Sequence, residues 1–183
     1  MIHDDFRNRE THMIQILNVE HHEHVSKHSF EEVMRAFYDV TGSIEEGFGE
    51  VAKTAHSPEE FERVFKAREG SSGFMRFDVI DHGGWLATIG QKAKAVMVVL
   101  GNPLIARTML RHDVGAGLNV PVRIFIYQHQ DGKTRVAYDL PSTLMSNLKG
   151  DPVAEAAAKL DAKLVALAEQ ISGVKADAKA CSD

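Results

Sequence analysis

Two β-rich runs between Val120 and Leu140 flank Asp131-Gly132, a dipeptide suited to the positive φ angles of a type I′ turn. A β-hairpin is the short-range structure that uses both halves of this pattern. With a two-residue loop, Tyr127 lies opposite Val136 and Phe125 opposite Tyr138. Arg123, Phe125, Tyr127, Val136 and Tyr138 then share one face, and Val122, Ile124 and Ile126 form the other. Both faces are partly apolar, which an antiparallel sheet open to water on one side does not require. The expectation is a sheet with helices on one face and a partner subunit or a ligand on the other.

The rest of the chain supplies those helices. Ser29-Phe30-Glu31-Glu32 is a capping box, and Phe30, Val33, Met34, Phe37 and Tyr38 follow at helical spacing. Ser57-Pro58-Glu59-Glu60 repeats the signal with proline at the first helical position, ahead of Phe61, Val64 and Phe65. The intervening segment 42–56 reads as a connection, and 11–28 as extended structure with a polar second half. FMRFDVI (74–80) and AVMVVL (95–100) have strand length and strand composition. Trp85, Leu86 and Ile89 suggest a short helix between them. Gly101-Asn102-Pro103 turns the second strand into a helix carrying Leu104, Ile105, Met109 and Leu110. A long helix from Pro152 to Ile171 places Val153, Ala156, Leu160, Leu164, Leu167 and Ile171 at core spacing. The expected architecture is α+β in two layers, helices packed on a mainly antiparallel sheet, with a C-terminal hairpin and a long final helix. A flexible arm at 1–11, one domain over 12–172 and a flexible tail at 173–183 complete it.

Length and charge narrow the function. A chain of 183 residues is long enough to bury a core as one domain. A net charge of −5 with scattered basic residues lacks the basic face of a nucleic-acid binder. The opening MIHDDFRNRE has no apolar signal core, and no run reaches the length of a membrane span, so cytoplasmic location is expected. The single cysteine, Cys181, lies in the polar tail, which excludes a disulfide framework or a four-thiolate zinc site within one chain. There is no Gly-x-Ser-x-Gly elbow and no glycine-rich nucleotide fingerprint.

Five residues are candidates for a ligand site: His82, Asn102, Arg123, Tyr127 and Tyr138. Asp81-His82, at a strand end before two glycines, suits proton transfer at a cleft, with the imidazole as acid or base and Asp81 assisting. The same histidine serves equally well as a helix cap or backbone partner. Asn102 caps the helix that Pro103 begins, and the amides beyond them would suit an anion. An ordinary strand-to-helix turn accounts for the same residues. Arg123 can clamp a carboxylate or phosphate, or form an ion pair between subunits. Tyr127 and Tyr138 read either as ligand contacts or as core aromatics with a polar edge. Of the clustered His21, His22, His24 and His28, His22 and His24 share a strand face about 7 Å apart, a spacing that permits two metal ligands. No third ligand is identifiable, and solvated histidines explain the pattern without a metal or haem. The sequence identifies no cofactor.

Asp81-His82, Gly101-Asn102-Pro103, Ala116-Gly117-Leu118, Pro121, Arg123, Tyr127, Asp131-Gly132 and Val136-Ala137-Tyr138-Asp139 occur in an order that resembles the family called domain of unknown function 302. The resemblance runs from about Glu20 to Ser172 and implies a compact fold of helices on a mainly antiparallel sheet, often paired as a dimer. It implies no particular activity and no catalytic residues. The chain departs from that pattern by extra residues at roughly 45–72, where an added helix would cover or reshape a pocket. The resulting expectation is a homodimeric module binding a small anionic or polar ligand through the five residues above. One alternative is an enzyme using His82 as general acid or base, and another is a structural or interaction protein whose aromatic hairpin face is an oligomer interface.

Overall fold

The computed structural model describes residues 12–44 and 46–176. The expected arm at 1–11, Cys181 and the rest of the tail from 177 lie outside the described residues. Six strands form one sheet: β1 (His21–Val25), β2 (Gly42–Ser43), β3 (Met75–Asp81), β4 (Ala95–Gly101), β5 (Val122–Gln128) and β6 (Thr134–Asp139). Their order across the sheet is β1-β6-β5-β4-β3-β2. Only β2 and β3 run parallel among these pairs; the others are antiparallel.

Local sequence sets where the first helices begin. In α1 (Phe30–Val40) the Ser29 hydroxyl accepts from Glu32 N–H at 3.3 Å, and the Glu32 carboxylate accepts from Ser29 N–H at 2.8 Å. Both arms of the capping box are therefore made. In α3 (Pro58–Lys66) Ser57 accepts from Glu60 N–H at 3.1 Å, but the Glu60 carboxylate turns to His56 N–H at 2.8 Å. Segment 42–56 is more than a connection, for it carries β2 and the helix α2 (Phe48–Lys53), whose Val51 is buried. Gly42 opens β2 against the chain at Arg68, where an added Cβ would fall 1.8 Å from the Arg68 carbonyl oxygen.

α4 (His82–Ala87) follows β3, and α5 (Pro103–Leu110) follows β4. A 3-10 turn at Val114–Leu118 and the short α6 (Pro141–Leu144) are features that the sequence pattern did not signal. The expected long helix is α7 (Asp151–Ser172), ended by Gly173 in a left-handed conformation that its lack of a Cβ permits. Leu160, Leu164, Leu167 and Ile171 of α7 share a core with Val33 and Phe37 of α1 and with Ile124, Ile126 and Val136 of the sheet. Each such buried side chain contributes about 1.5–3 kcal/mol relative to exposure. The core lies between the sheet and the helices α1, α5 and α7, so one sheet face is covered by helices.

The hairpin register differs from expectation by one residue. Phe125 pairs with Ala137, Ile126 with Val136 and Tyr127 with Arg135. The loop has three residues, not two: Gly132 N–H donates to the His129 carbonyl at 2.9 Å, and Gly132 takes φ +80°. This geometry is a type I turn with a left-handed glycine, and it consumes one more residue than a type I′ turn. Because side chains alternate, Val136 and Tyr138 move to the helix-covered face, leaving Arg123, Phe125 and Tyr127 on the open face with Arg135 and Ala137.

Candidate functional site

That shift takes Tyr138 away from the other candidate ligand residues. Tyr138 is buried on the helix side, where its hydroxyl lies 3.1 Å from His24 Nε2 and 3.3 Å from His22 Nδ1. His24 Nδ1 also reaches the Val174 carbonyl at 3.1 Å, and His22 Nε2 reaches the Glu20 carboxylate at 2.8 Å. All four ring nitrogens of the two candidate metal ligands therefore have protein partners. Among the described residues no group of three or more His, Cys, Asp or Glu side chains is placed to hold a metal ion. Burial raises the Tyr138 hydroxyl pKa well above 10, and the negative charges of Glu169, Asp161 and Glu20 push it further up.

His82, Arg123 and Tyr127 stay on the open face of the sheet. A strip of rings crosses it: Tyr127 stacks on Phe125 at 4.8 Å between centroids, and Phe125 meets His82 edge-on at 6.0 Å. The Trp85 indole N–H donates to His82 Nδ1 at 3.1 Å. Indole nitrogen only donates, so this bond needs a lone pair on Nδ1 and leaves the neutral ring's proton on Nε2. The Asp81 carboxylate caps α4 by accepting Gly84 N–H at 2.8 Å. Beyond Tyr127 the strip ends in charge. The Tyr127 hydroxyl donates to Glu23, whose carboxylate also holds Arg135 at 2.5 Å, and Arg135 reaches Asp131 at 3.0 Å. Burial and the Glu23 carboxylate push the Tyr127 pKa up. Burial alone would raise Glu23, but Tyr127 and Arg135 outweigh it and hold that carboxyl below the usual range.

Asn102 belongs to a third place. Its buried amide donates to Glu69 at 2.7 Å and to the Gly73 carbonyl at 2.9 Å, while Oδ1 accepts Leu104 N–H at 2.9 Å. Ile105 and Ala106 N–H both donate to the Asn102 carbonyl at 2.9 Å, and Pro103 has no N–H. The amides of the first turn of α5 are thus bonded within the turn itself, the pattern of an ordinary strand-to-helix turn.

Beside this turn lies a cavity of about 550 Å³, on the helix-covered side where β4 runs into α5. Its wall is almost wholly carbon, with Phe48, Phe61, Phe77, Ile105, Leu110 and Val122 contributing. Pro121, preceded by a cis peptide bond, and Gly101 complete one side. A Cβ on Gly101 would lie 3.2 Å from Pro121 Cβ and 3.3 Å from the Phe77 ring. Arg107 and Arg111 are the charged residues of the lining. Of the sequence candidates only Asn102 borders this cavity. Phe61 and Phe77 read from the sequence as helix and strand residues and Phe48 as part of a connection, but they are separated by up to 29 positions between Phe48 and Phe77, and packing alone brings them together.

No helix among the described residues is long and apolar enough to cross a membrane. A family model described as "Domain of unknown function DUF302" matches residues 50–171, a span that takes in most of segment 45–72. Among solved structures, the chain is similar to the crystal structure of an uncharacterized conserved DUF302 protein from Bacillus stearothermophilus. The two share 17% sequence identity at a TM-score of 0.59, over 82% of this chain and 97% of that one. No curated protein sequence gives a significant match.

Proposed function

This chain belongs to the DUF302 family, and from its own geometry we propose that it is a homodimeric module binding a small, predominantly apolar molecule. The cavity of about 550 Å³ beside α5 carries the reading. Its size falls within the range of about 300–1,000 Å³ common to small-molecule sites, which are likewise apolar with few polar groups. Leaving such walls wetted forgoes about 25 cal/mol for each Å² of apolar surface, a free energy that an apolar guest recovers on binding. The five residues first considered support this site less, since they lie in separate places.

A fluorescence titration with the neutral apolar dye N-phenyl-1-naphthylamine tests the site. One saturable dye per chain is expected. Ala106→Trp, which places an indole in the cavity from a partly exposed helix position, should weaken dye binding at least tenfold while the circular dichroism spectrum is kept. Binding that is unaffected by Ala106→Trp would remove the cavity from consideration.

The open sheet face supports the homodimer. Phe125, Tyr127, Met97 and Ile80 are half-buried there, and Trp85 at its margin is 52% exposed. Aromatic residues of this kind commonly anchor subunit interfaces. Arg123 and Asp78 occupy one cross-strand row, each paired with Val99, so a two-fold axis between two facing sheets and running along β4 would set one copy's arginine against the other's aspartate. Sedimentation equilibrium should give twice the 20.2 kDa chain mass, and Phe125→Glu should return the monomer. A wild-type monomer at high protein concentration refutes the dimer and leaves the cavity reading untouched.

A further inference from the structure

The charged lining of the cavity gives its guest a polarity. Arg107 and Arg111 both border it, four positions apart at the end of α5, and no Asp or Glu does. Residues at this spacing share a helix face. Arg107 is partly engaged, with one terminal nitrogen 3.0 Å from the Glu62 carboxylate. Arg111 uses Nε to donate to His112 Nε2 at 3.0 Å, and its two terminal nitrogens have no carboxylate partner among the described residues.

The opposite end of the cavity has the reverse character. Phe77, Gly101 and Pro121 form its wall near the start of α5, where the helix amides are absent or already bonded. An anionic group placed there would lose water and gain no donor, which disfavours it. The same group at Arg111 meets two parallel N–H donors suited to a planar carboxylate. From Pro103 to Arg111 the helix rises about 12 Å at 1.5 Å per residue, which sets the length of the apolar track between the two ends.

Resting on the cavity reading above, we infer that the guest is an amphipathic monocarboxylic acid, its apolar chain lying along α5 and its carboxylate held by Arg111. Arg107 adds a second, weaker positive charge at the mouth. The guest is a free acid, because an ester or amide of the same chain carries no charge for the arginines to recognise.

Displacement of bound N-phenyl-1-naphthylamine by decanoate, decan-1-ol and acetate at pH 8 and low salt tests the inference. Decanoate should displace the dye at a concentration at least tenfold lower than decan-1-ol, and acetate should fail over the same range. Arg111→Gln should bring the ratio between decanoate and decan-1-ol to within twofold of one, and Arg111→Lys should restore part of it. Equal potency of the acid and the alcohol on the wild-type protein overturns the carboxylate assignment while the cavity reading stands. A preference for decanoate that survives Arg111→Gln overturns the role of Arg111. Absence of dye binding altogether removes both the site and its guest.

Discussion

The Tyr138 hydroxyl lies 3.1 Å from His24 Nε2, in the interior between β6, β1 and the end of α7. Tyr138→Phe removes this partner and leaves a buried imidazole nitrogen to find another. Unfolding measured in urea should show a loss of about 1–3 kcal/mol. The pH dependence has a definite sign. An unfolded tyrosine ionises near pH 10, whereas burial and nearby carboxylates keep the folded Tyr138 protonated to higher pH. Its contribution to stability is complete below about pH 10 and declines as the pH rises through the folded value. The alkaline limb of the wild-type stability curve should therefore be steeper than that of Tyr138→Phe. Equal slopes for the two proteins would contradict the assignment.

Asn102 is held by both halves of its amide, and Asn102→Asp separates their contributions. The substituted side chain still accepts Leu104 N–H but no longer donates to Glu69 and Gly73, and it sets a second carboxylate beside Glu69. A loss of about 3 kcal/mol at neutral pH is expected. Part of it should return as the pH falls and the pair takes up a proton. A loss that does not change with pH would mean that Glu69 is not the partner that matters.

Gly132 adopts φ +80° in the hairpin loop, and its side faces open space. Gly132→Ala therefore adds backbone strain without a clash, about 1 kcal/mol. For a chain of this size the melting temperature should fall by about 2–4 °C. An unchanged melting temperature would show that the loop relaxes into another turn.

Glu62 tempers the charge at the mouth of the cavity through its pairing with Arg107. Glu62→Gln should raise the affinity for decanoate about threefold at low salt, the scale of an exposed ion pair. The gain should disappear in molar salt, where charges are screened beyond about 3 Å. Isothermal titration at the two salt concentrations reads the difference, and a gain that persists in high salt would point to a cause other than charge.

The parts of the fold that were legible in the sequence are those decided within a few residues. Ser29 and Glu32 satisfy each other's backbone three positions apart, and the apolar spacing of α7 needs only its own helical period. The Asp131-Gly132 signal located the hairpin because two strands must turn somewhere. Its register escaped because loops of two and three residues both accept Asp-Gly, and the choice depends on hydrogen bonds between His129, Gly132 and Lys133. The cavity escaped for a different reason. Phe48, Phe77, Arg111 and Val122 come from four separate elements or turns, and each reads as ordinary core or surface by itself. Asn102 was legible as a helix cap, and its Oδ1 accepts Leu104 N–H; Asp81, read as an assistant to His82, caps α4 by accepting Gly84 N–H.

The left-handed glycine in the β5–β6 loop also restricts how this hairpin can vary. β6 lies between β5 and β1, so its alternation is read by neighbours on both sides. Removing one loop residue would turn Tyr138 outward, bring Ala137 and Arg135 toward the helices, and mispair β1 at the same stroke. Length changes that hold the register therefore come in steps of two, and a single-residue deletion acts on the whole sheet as an inversion of inside and outside.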